Sequence, residues 1–237
     1  TRLFPADSPL DRRRPLVFGM TQSRPWAVLF DLDGTLVDSI ELLLMCARHT
    51  FEGRERRPTD DEWIAGLGTP LPTQMRAYVD TDEEVEQLRS RYRAFQRENH
   101  DLFMREYPGV EDTLIELERR GHPMGVVTSK SNEMMDRGLR YLRLDRFMKT
   151  SIGHDSCQIH KPDPFPVRLA LQELGYEPNE AVFVGDSPHD IASGNAARVV
   201  SIAALWGPFT RAQLDPHKPK YFLERITDLP ALLDRLQ

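Results

Sequence analysis

The chain reads as an α/β protein, a parallel-sheet core interrupted by an inserted all-helical cap subdomain. Three observations predict this. Short apolar runs recur, each followed by polar or glycine-containing sequence, the pattern of strands buried on both faces of a parallel sheet. From Gly109 onward these runs alternate with helix-period stripes, which builds βαβ units. The interval from about Asp38 to Tyr107 breaks the alternation, with several helical stripes and no convincing strand.

Residues 1–24 are read as an N-terminal extension. They carry Arg12-Arg13-Arg14 but no apolar core after it, so they do not form a secretory signal. Core segments are assigned to 25–37 and 108–237, and the cap to 38–107. The first strand is Ala27–Phe30. In the cap, Ile40, Leu43, Leu44, Ala47 and Phe51 share one helix face; Val85, Leu88, Tyr92 and Phe95 share another. Thr59 followed by Glu62 predicts a capping box. Pro108-Gly109 marks the return to the sheet, with hinges expected near Val37–Ser39 and Tyr107–Gly109. Val110, Leu114 and Leu117 then form a helix stripe ended by Gly121, and Val167, Ala170, Leu171 and Leu174 one ended by Gly175. Further strands are read at Gly125–Val127, Lys149–Ile152, Ala181–Val184, Ser201–Leu205 and Tyr221–Leu223.

Composition narrows the function. Of 237 residues, 37 are acidic and 31 basic, a formal net charge of −6. Such a balance opposes non-specific nucleic-acid binding, which needs a cationic surface. No stretch approaches the roughly 20 apolar residues that span a bilayer. Cys46 and Cys157 lie far apart in no C-x-x-C pairing; free thiols in a cytoplasmic protein are the expectation. The chain shows no interface signal, and a monomer or weak homodimer is expected.

The densest chemical signal is Phe30-Asp31-Leu32-Asp33-Gly34-Thr35-Leu36, directly after the first strand. Residues two apart in extended chain point the same way, so Asp31 and Asp33 are expected to face one site at the strand's carboxyl end, where open α/β sheets bind ligands. Near the fourth main run, Ser187 suits an N-cap, Pro188 the first helical position and Asp190 the third, which brings Asp190 toward Asp186. Up to four carboxylates would then surround one crevice. A hard divalent cation such as Mg²⁺ relieves that repulsion. His154, His160 and His189 lie near these loops and are read as structural or solvent-facing.

Four motifs in order resemble the haloacid dehalogenase superfamily, in its phosphatase branch with a Rossmann-like core and helical cap. They are the Asp31-Leu32-Asp33-Gly34-Thr35 string, Val126-Val127-Thr128-Ser129, Lys161 in His160-Lys161-Pro162-Asp163-Pro164, and Gly185-Asp186-Ser187-Pro188-His189-Asp190. The resemblance covers nearly the whole chain after residue 25. It implies a Mg²⁺-dependent phosphohydrolase, with Asp31 as nucleophile and Asp33 as general acid–base. It also implies Mg²⁺ on Asp31, Asp186 and the Asp33 main-chain carbonyl, with Asp190 orienting Lys161 or a metal-bound water. Thr128, Ser129 and Lys161 would grip the phosphoryl oxygens.

Gly66-Leu67-Gly68-Thr69-Pro70-Leu71 is similar to the cap loop of phosphoglycolate phosphatases and pyrophosphatases. Gly68, Thr69 and Arg76 become candidate substrate contacts, and the expected partner is a small phosphate ester or pyrophosphate. Dehalogenases and phosphonate hydrolases lack the second acid that Asp33 supplies. Sugar phosphomutases resemble this chain less at the fourth motif. Receiver domains of phosphorelay signalling use a similar acidic cluster but are shorter and lack both the helical insertion and that second acid. A non-catalytic binding protein on the same sheet would not need every motif position intact.

Overall fold

The computed structural model describes residues 24–236, so nearly all of the proposed extension lies outside the described residues. Arg24, its last residue, donates to Gly175 O at 3.0 Å and sits over the Tyr176 ring.

The chain begins with β1 (Ala27–Phe30), then β2 (Val37–Asp38), α1 (Ile40–Thr50), α2 (Asp60–Ala65), α3 (Leu71–Arg76), α4 (Asp82–Phe103) and β3 (Arg105–Glu106). It continues through α5 (Val110–Arg119), β4 (Met124–Val127), α6 (Asn132–Tyr141), β5 (Met148–Ile152), α7 (Phe165–Leu174) and β6 (Ala181–Gly185). The last elements are α8 (Pro188–Ala197), β7 (Val200–Ala204), α9 (Arg211–Leu214), β8 (Tyr221–Leu223) and α10 (Leu229–Leu236).

Six strands form one parallel sheet in the order β5-β4-β1-β6-β7-β8. The strand runs read from the sequence match these six within a residue at each end. They were visible because the sheet is covered on both sides. Along β1, Val28 and Phe30 enter a cluster with α5 and α10, while Ala27 and Leu29 enter another with α7. Each large apolar side chain so buried contributes roughly 1.5–3 kcal/mol. The chain reverses strand order around β1, and ligands bind at the carboxyl ends beside such a reversal.

Helices α1 to α4, which follow β1 in the chain and precede β4, pack against one another. The α1 stripe behaves as read: Leu43, Leu44, Ala47 and Phe51 are buried, with Ile40 half-buried. On α4 the buried line runs Val85, Leu88, Tyr92, Gln96 and His100; Phe95 is only half-buried and stacks on His49. The expected capping box at Thr59 and Glu62 is present. Helices α6, α9 and α10 were not read from the sequence, nor were two short strands. Residues Val37–Asp38 and Arg105–Glu106 pair antiparallel and form the stalk of the helical insertion. Two-residue strands leave no periodicity to detect. Among the described residues no helix is long and apolar enough to cross a membrane.

Candidate active site

The site lies where β1, β4 and β6 end. Asp31 follows β1, and its N–H donates to Val184 O at 2.9 Å. Thr128 follows β4, with its N–H on Ile152 O at 2.9 Å. Asp186 follows β6. Three neighbouring strand ends therefore set the spacing of the main chain at Asp31, Thr128 and Asp186.

Asp31, Asp186 and Asp190 are all buried, and each offers an oxygen within 4.8 Å of the others. Lys161 Nζ lies among them, 2.7 Å from Asp31 Oδ1 and 2.6 Å from Asp190 Oδ1. It also donates to Val127 O at 3.1 Å. The other Asp190 oxygen accepts from the Ser187 N–H and Oγ at 2.9 and 2.6 Å, the capping box that Ser187, Pro188 and Asp190 foreshadow. Both Asp190 oxygens are thus engaged, one by Lys161 and the other by Ser187. Asp186 Oδ1 accepts from Thr35 Oγ1 at 2.7 Å. Gly34, at φ +91°, passes directly against the Asp186 carboxylate, where a Cβ would collide.

Burial pushes the Asp31 carboxyl up to about 7; Lys161 opposes that shift and Asp190 adds to it. Burial likewise drives Asp186 well above the usual carboxylate range, reinforced by Asp190 and Asp31. Burial alone would weaken the proton affinity of Lys161, but Asp190 and Asp31 outweigh it and the net shift is upward. Three carboxylates against one ammonium leave two negative charges uncompensated, which is why the acids resist ionising together.

The expected four-carboxylate grouping is a three-carboxylate one. Asp33 shares the cavity with Asp31, but its carboxylate turns away to Lys130 and Ser39. Lys130 Nζ is 2.7 and 2.8 Å from its two oxygens, and Ser39 Oγ 2.5 Å from Oδ1. Extended geometry ends with β1: the Gly34 N–H donates to Val37 O and the chain curls into a turn, so two-residue alternation no longer applies.

A cavity of about 100 Å³ opens between cap and core, lined by Asp31, Asp33, Thr128, Ser129, Gly68 and Thr69 among others. That is well below the roughly 300–1,000 Å³ of a drug-sized pocket. Ser129 Oγ donates to Gly68 O at 2.6 Å and ties the cap loop to the core. Gly68, at φ +91°, packs so close to Ser187 that a Cβ would meet its hydroxyl. Arg76 does not reach the cavity. It is exposed and pairs with Asp82 on the outer surface of the cap, because its place near the end of α3 points it away from the loop that meets the core.

Sequence reasoning missed Lys130, Arg93 and Gln96, which also line the cavity, as do Tyr92, read only as part of a helix stripe, and His154, read as structural or solvent-facing. Lys130 follows the second motif by one residue, but a lone lysine in a loop carries no signal of its own. Both cysteines are free, Cys46 buried and Cys157 half-buried.

Residues 28–204 match the sequence model of the haloacid dehalogenase-like hydrolases. Pyrophosphatase PpaX of Bacillus velezensis is 36% identical over 214 residues, covering 89% of this chain and 97% of that protein. Pyrophosphatase PpaX of Bacillus cereus AH820 is 35% identical over 206 residues, 87% of this chain and 95% of the relative. A predicted phosphoglycolate phosphatase from Haemophilus somnus shares the fold with a TM-score of 0.79 at 24% identity, over 90% of this chain and 99% of that one. With strand-end acids, Lys161 and the helical insertion all in the expected order, the chain belongs to the haloacid dehalogenase-like hydrolase family.

Proposed function

We propose that this hydrolase is a Mg²⁺-dependent phosphatase that cleaves a small phosphorylated metabolite through an aspartyl-phosphate on Asp31. Phosphoglycolate is the leading substrate and pyrophosphate the alternative. The observation that carries the reading is the Lys161 ammonium bridging Asp31 and Asp190 beside Asp186, under a small cavity that also holds Asp33. The names of the similar proteins, pyrophosphatase and phosphoglycolate phosphatase, support the two substrates. Free thiols at Cys46 and Cys157 support a reducing, cytoplasmic setting.

The donor set fits Mg²⁺. Buried carboxylate oxygens are hard ligands, and the uncompensated charge around Asp31 and Asp186 calls for a divalent cation. Asp31 and Asp186 would hold the ion, with the Asp33 main-chain carbonyl as a further donor. Bound there, it supplies positive charge that shields the carboxylate nucleophile from an anionic phosphoryl group.

The chain's own groups do the rest. Asp31 Oδ1 accepts from Lys161, while Oδ2 has no hydrogen-bond partner among the described residues. Oδ2 is therefore the oxygen free to attack phosphorus; the Asp31 O–P bond forms as the P–O bond to the leaving group breaks. Asp33 gives its proton to the leaving oxygen, then takes one from the water that hydrolyses the acyl phosphate. Such acid–base help is worth on the order of 10²–10⁴-fold. Thr128, the N–H after it and Lys161 hold the phosphoryl oxygens as charge shifts among them. Closure of the cap loop onto Ser129 excludes bulk water.

Phosphate release with Mg²⁺, measured across phosphoglycolate, pyrophosphate, sugar phosphates and nucleotides, tests this. One of the first two should lead by about 10³-fold, some 4 kcal/mol of transition-state binding, and chelation should abolish turnover. Release from none of them would overturn the reading.

A further inference from the structure

The cap side of the cavity carries polar groups that the phosphoryl chemistry leaves unused. Arg93 and Gln96 stand three residues apart on α4, so they share a helix face, and both line the cavity. Gln96 is buried, 5% exposed, yet its side-chain amide makes no hydrogen bond among the described residues. The amide atoms keep access to the cavity and are open to bond whatever enters it. Arg93 is half-buried and has no carboxylate within ion-pair distance among the described residues. The acids that act on it, Asp155 and Glu133, are engaged elsewhere. Asp155 accepts the Asn132 N–H at 2.9 Å, and Glu133 is clamped by Arg97 at 2.7 and 2.8 Å. On the core side, His154 also lines the cavity. Its ring stacks on His160 with centroids 4.1 Å apart, and its buried Nδ1 lacks a partner.

We infer that Arg93 and Gln96, with His154 on the core side, form an anion-binding subsite for the leaving-group end of the substrate. The preferred substrate is then a small phosphate compound bearing a second anionic group, either a carboxylate or another phosphoryl. This rests on the phosphohydrolase reading and extends it. A guanidinium is a two-pronged donor matched to carboxylate and phosphate oxygens. A neutral leaving group would leave Arg93 and Gln96 unpaired, and a site built to bond a polar group rejects analogues that lack it.

The test compares kcat/KM for phosphoglycolate, pyrophosphate and ethyl phosphate, whose leaving group is neutral, in the wild type and in Arg93→Met, Arg93→Lys and Gln96→Glu. Wild type should prefer at least one two-anion substrate over ethyl phosphate. Arg93→Met and Gln96→Glu should shrink that preference by at least roughly tenfold, with Arg93→Lys between. A shrinkage confined to phosphoglycolate assigns the subsite to a carboxylate; one confined to pyrophosphate assigns it to a second phosphoryl group. Equal losses on all three compounds, no change in the ratio, or a wild-type preference for ethyl phosphate would overturn the subsite while leaving the phosphatase reading intact. Wild-type release from none of the three would instead sink the phosphatase reading, and the subsite with it.

Discussion

Lys130 Nζ stands 2.7 and 2.8 Å from the two carboxylate oxygens of Asp33, joining the loop after β4 to the loop after β1. With Ser39 on Oδ1 as well, the carboxylate assigned to proton transfer is held away from the Asp31 cluster. In the proposed mechanism Lys130 thus sets the resting position of the acid–base group.

Replacing Lys130 should therefore slow chemistry. In Lys130→Met, kcat is expected to fall by roughly 10–10²-fold, within the range of acid–base contributions. Steady-state kinetics checks this, with a thermal melt beside it to show that the fold persists. Unchanged kcat would mean that the pairing has no part in turnover.

Lys161 is the only cation within bonding distance of Asp31 and Asp190 among the described residues, and its side chain is 2% exposed. Removing one partner of a buried ion pair typically costs about 3–5 kcal/mol, because the remaining charge stays buried and unpaired. Lys161→Met should lose stability on that scale in urea unfolding without divalent ions. Added Mg²⁺ should restore part of it.

The raised carboxyls also predict a pH dependence. Asp31, at about 7 in the fold against 3.8 as its ordinary value, binds its proton more tightly folded than unfolded; Asp186 shifts in the same direction. The native state thus carries more protons between those values, and stability falls as pH rises through that window, by at most about 1.4 kcal/mol per pH unit for each group. Five histidines that burial makes weaker bases act the other way over the same range, so the comparison is with Asp31→Asn. The urea stability of the metal-free wild type relative to that variant should fall from about pH 4 to about pH 7, and Mg²⁺ should raise the wild-type midpoint more at the upper end. A difference between the two proteins that stays flat or grows in favour of the wild type as pH rises would contradict the raised Asp31 carboxyl.

What could be read in the sequence follows from how locally each feature is encoded. Ala27–Phe30 and Ala181–Gly185 announce themselves because central parallel strands are apolar on both faces. The Ser187–Asp190 cap is legible because its geometry spans four residues. The Asp33 orientation was not, since a turn at Gly34 ends the alternation on which the reading relied. The α4 groups were hidden for a different reason. Gln96 continues the buried line of Val85, Leu88 and Tyr92, but a polar residue in that register reads as surface until the cavity it faces is known. Arg76 failed the other way: proximity to the glycine loop suggested the site, and the short α3 helix carries it to the outer surface beside Asp82.

The most direct test is covalent. Asp33→Asn should still form the acyl phosphate on Asp31 but hydrolyse it slowly. Acid-quenched protein, taken during turnover with Mg²⁺ and the best substrate, should give a phosphorylated peptide at Asp31 by mass spectrometry, absent in Asp31→Asn. Phosphate on another residue, or an Asp31→Asn enzyme that retains full turnover, would contradict the account.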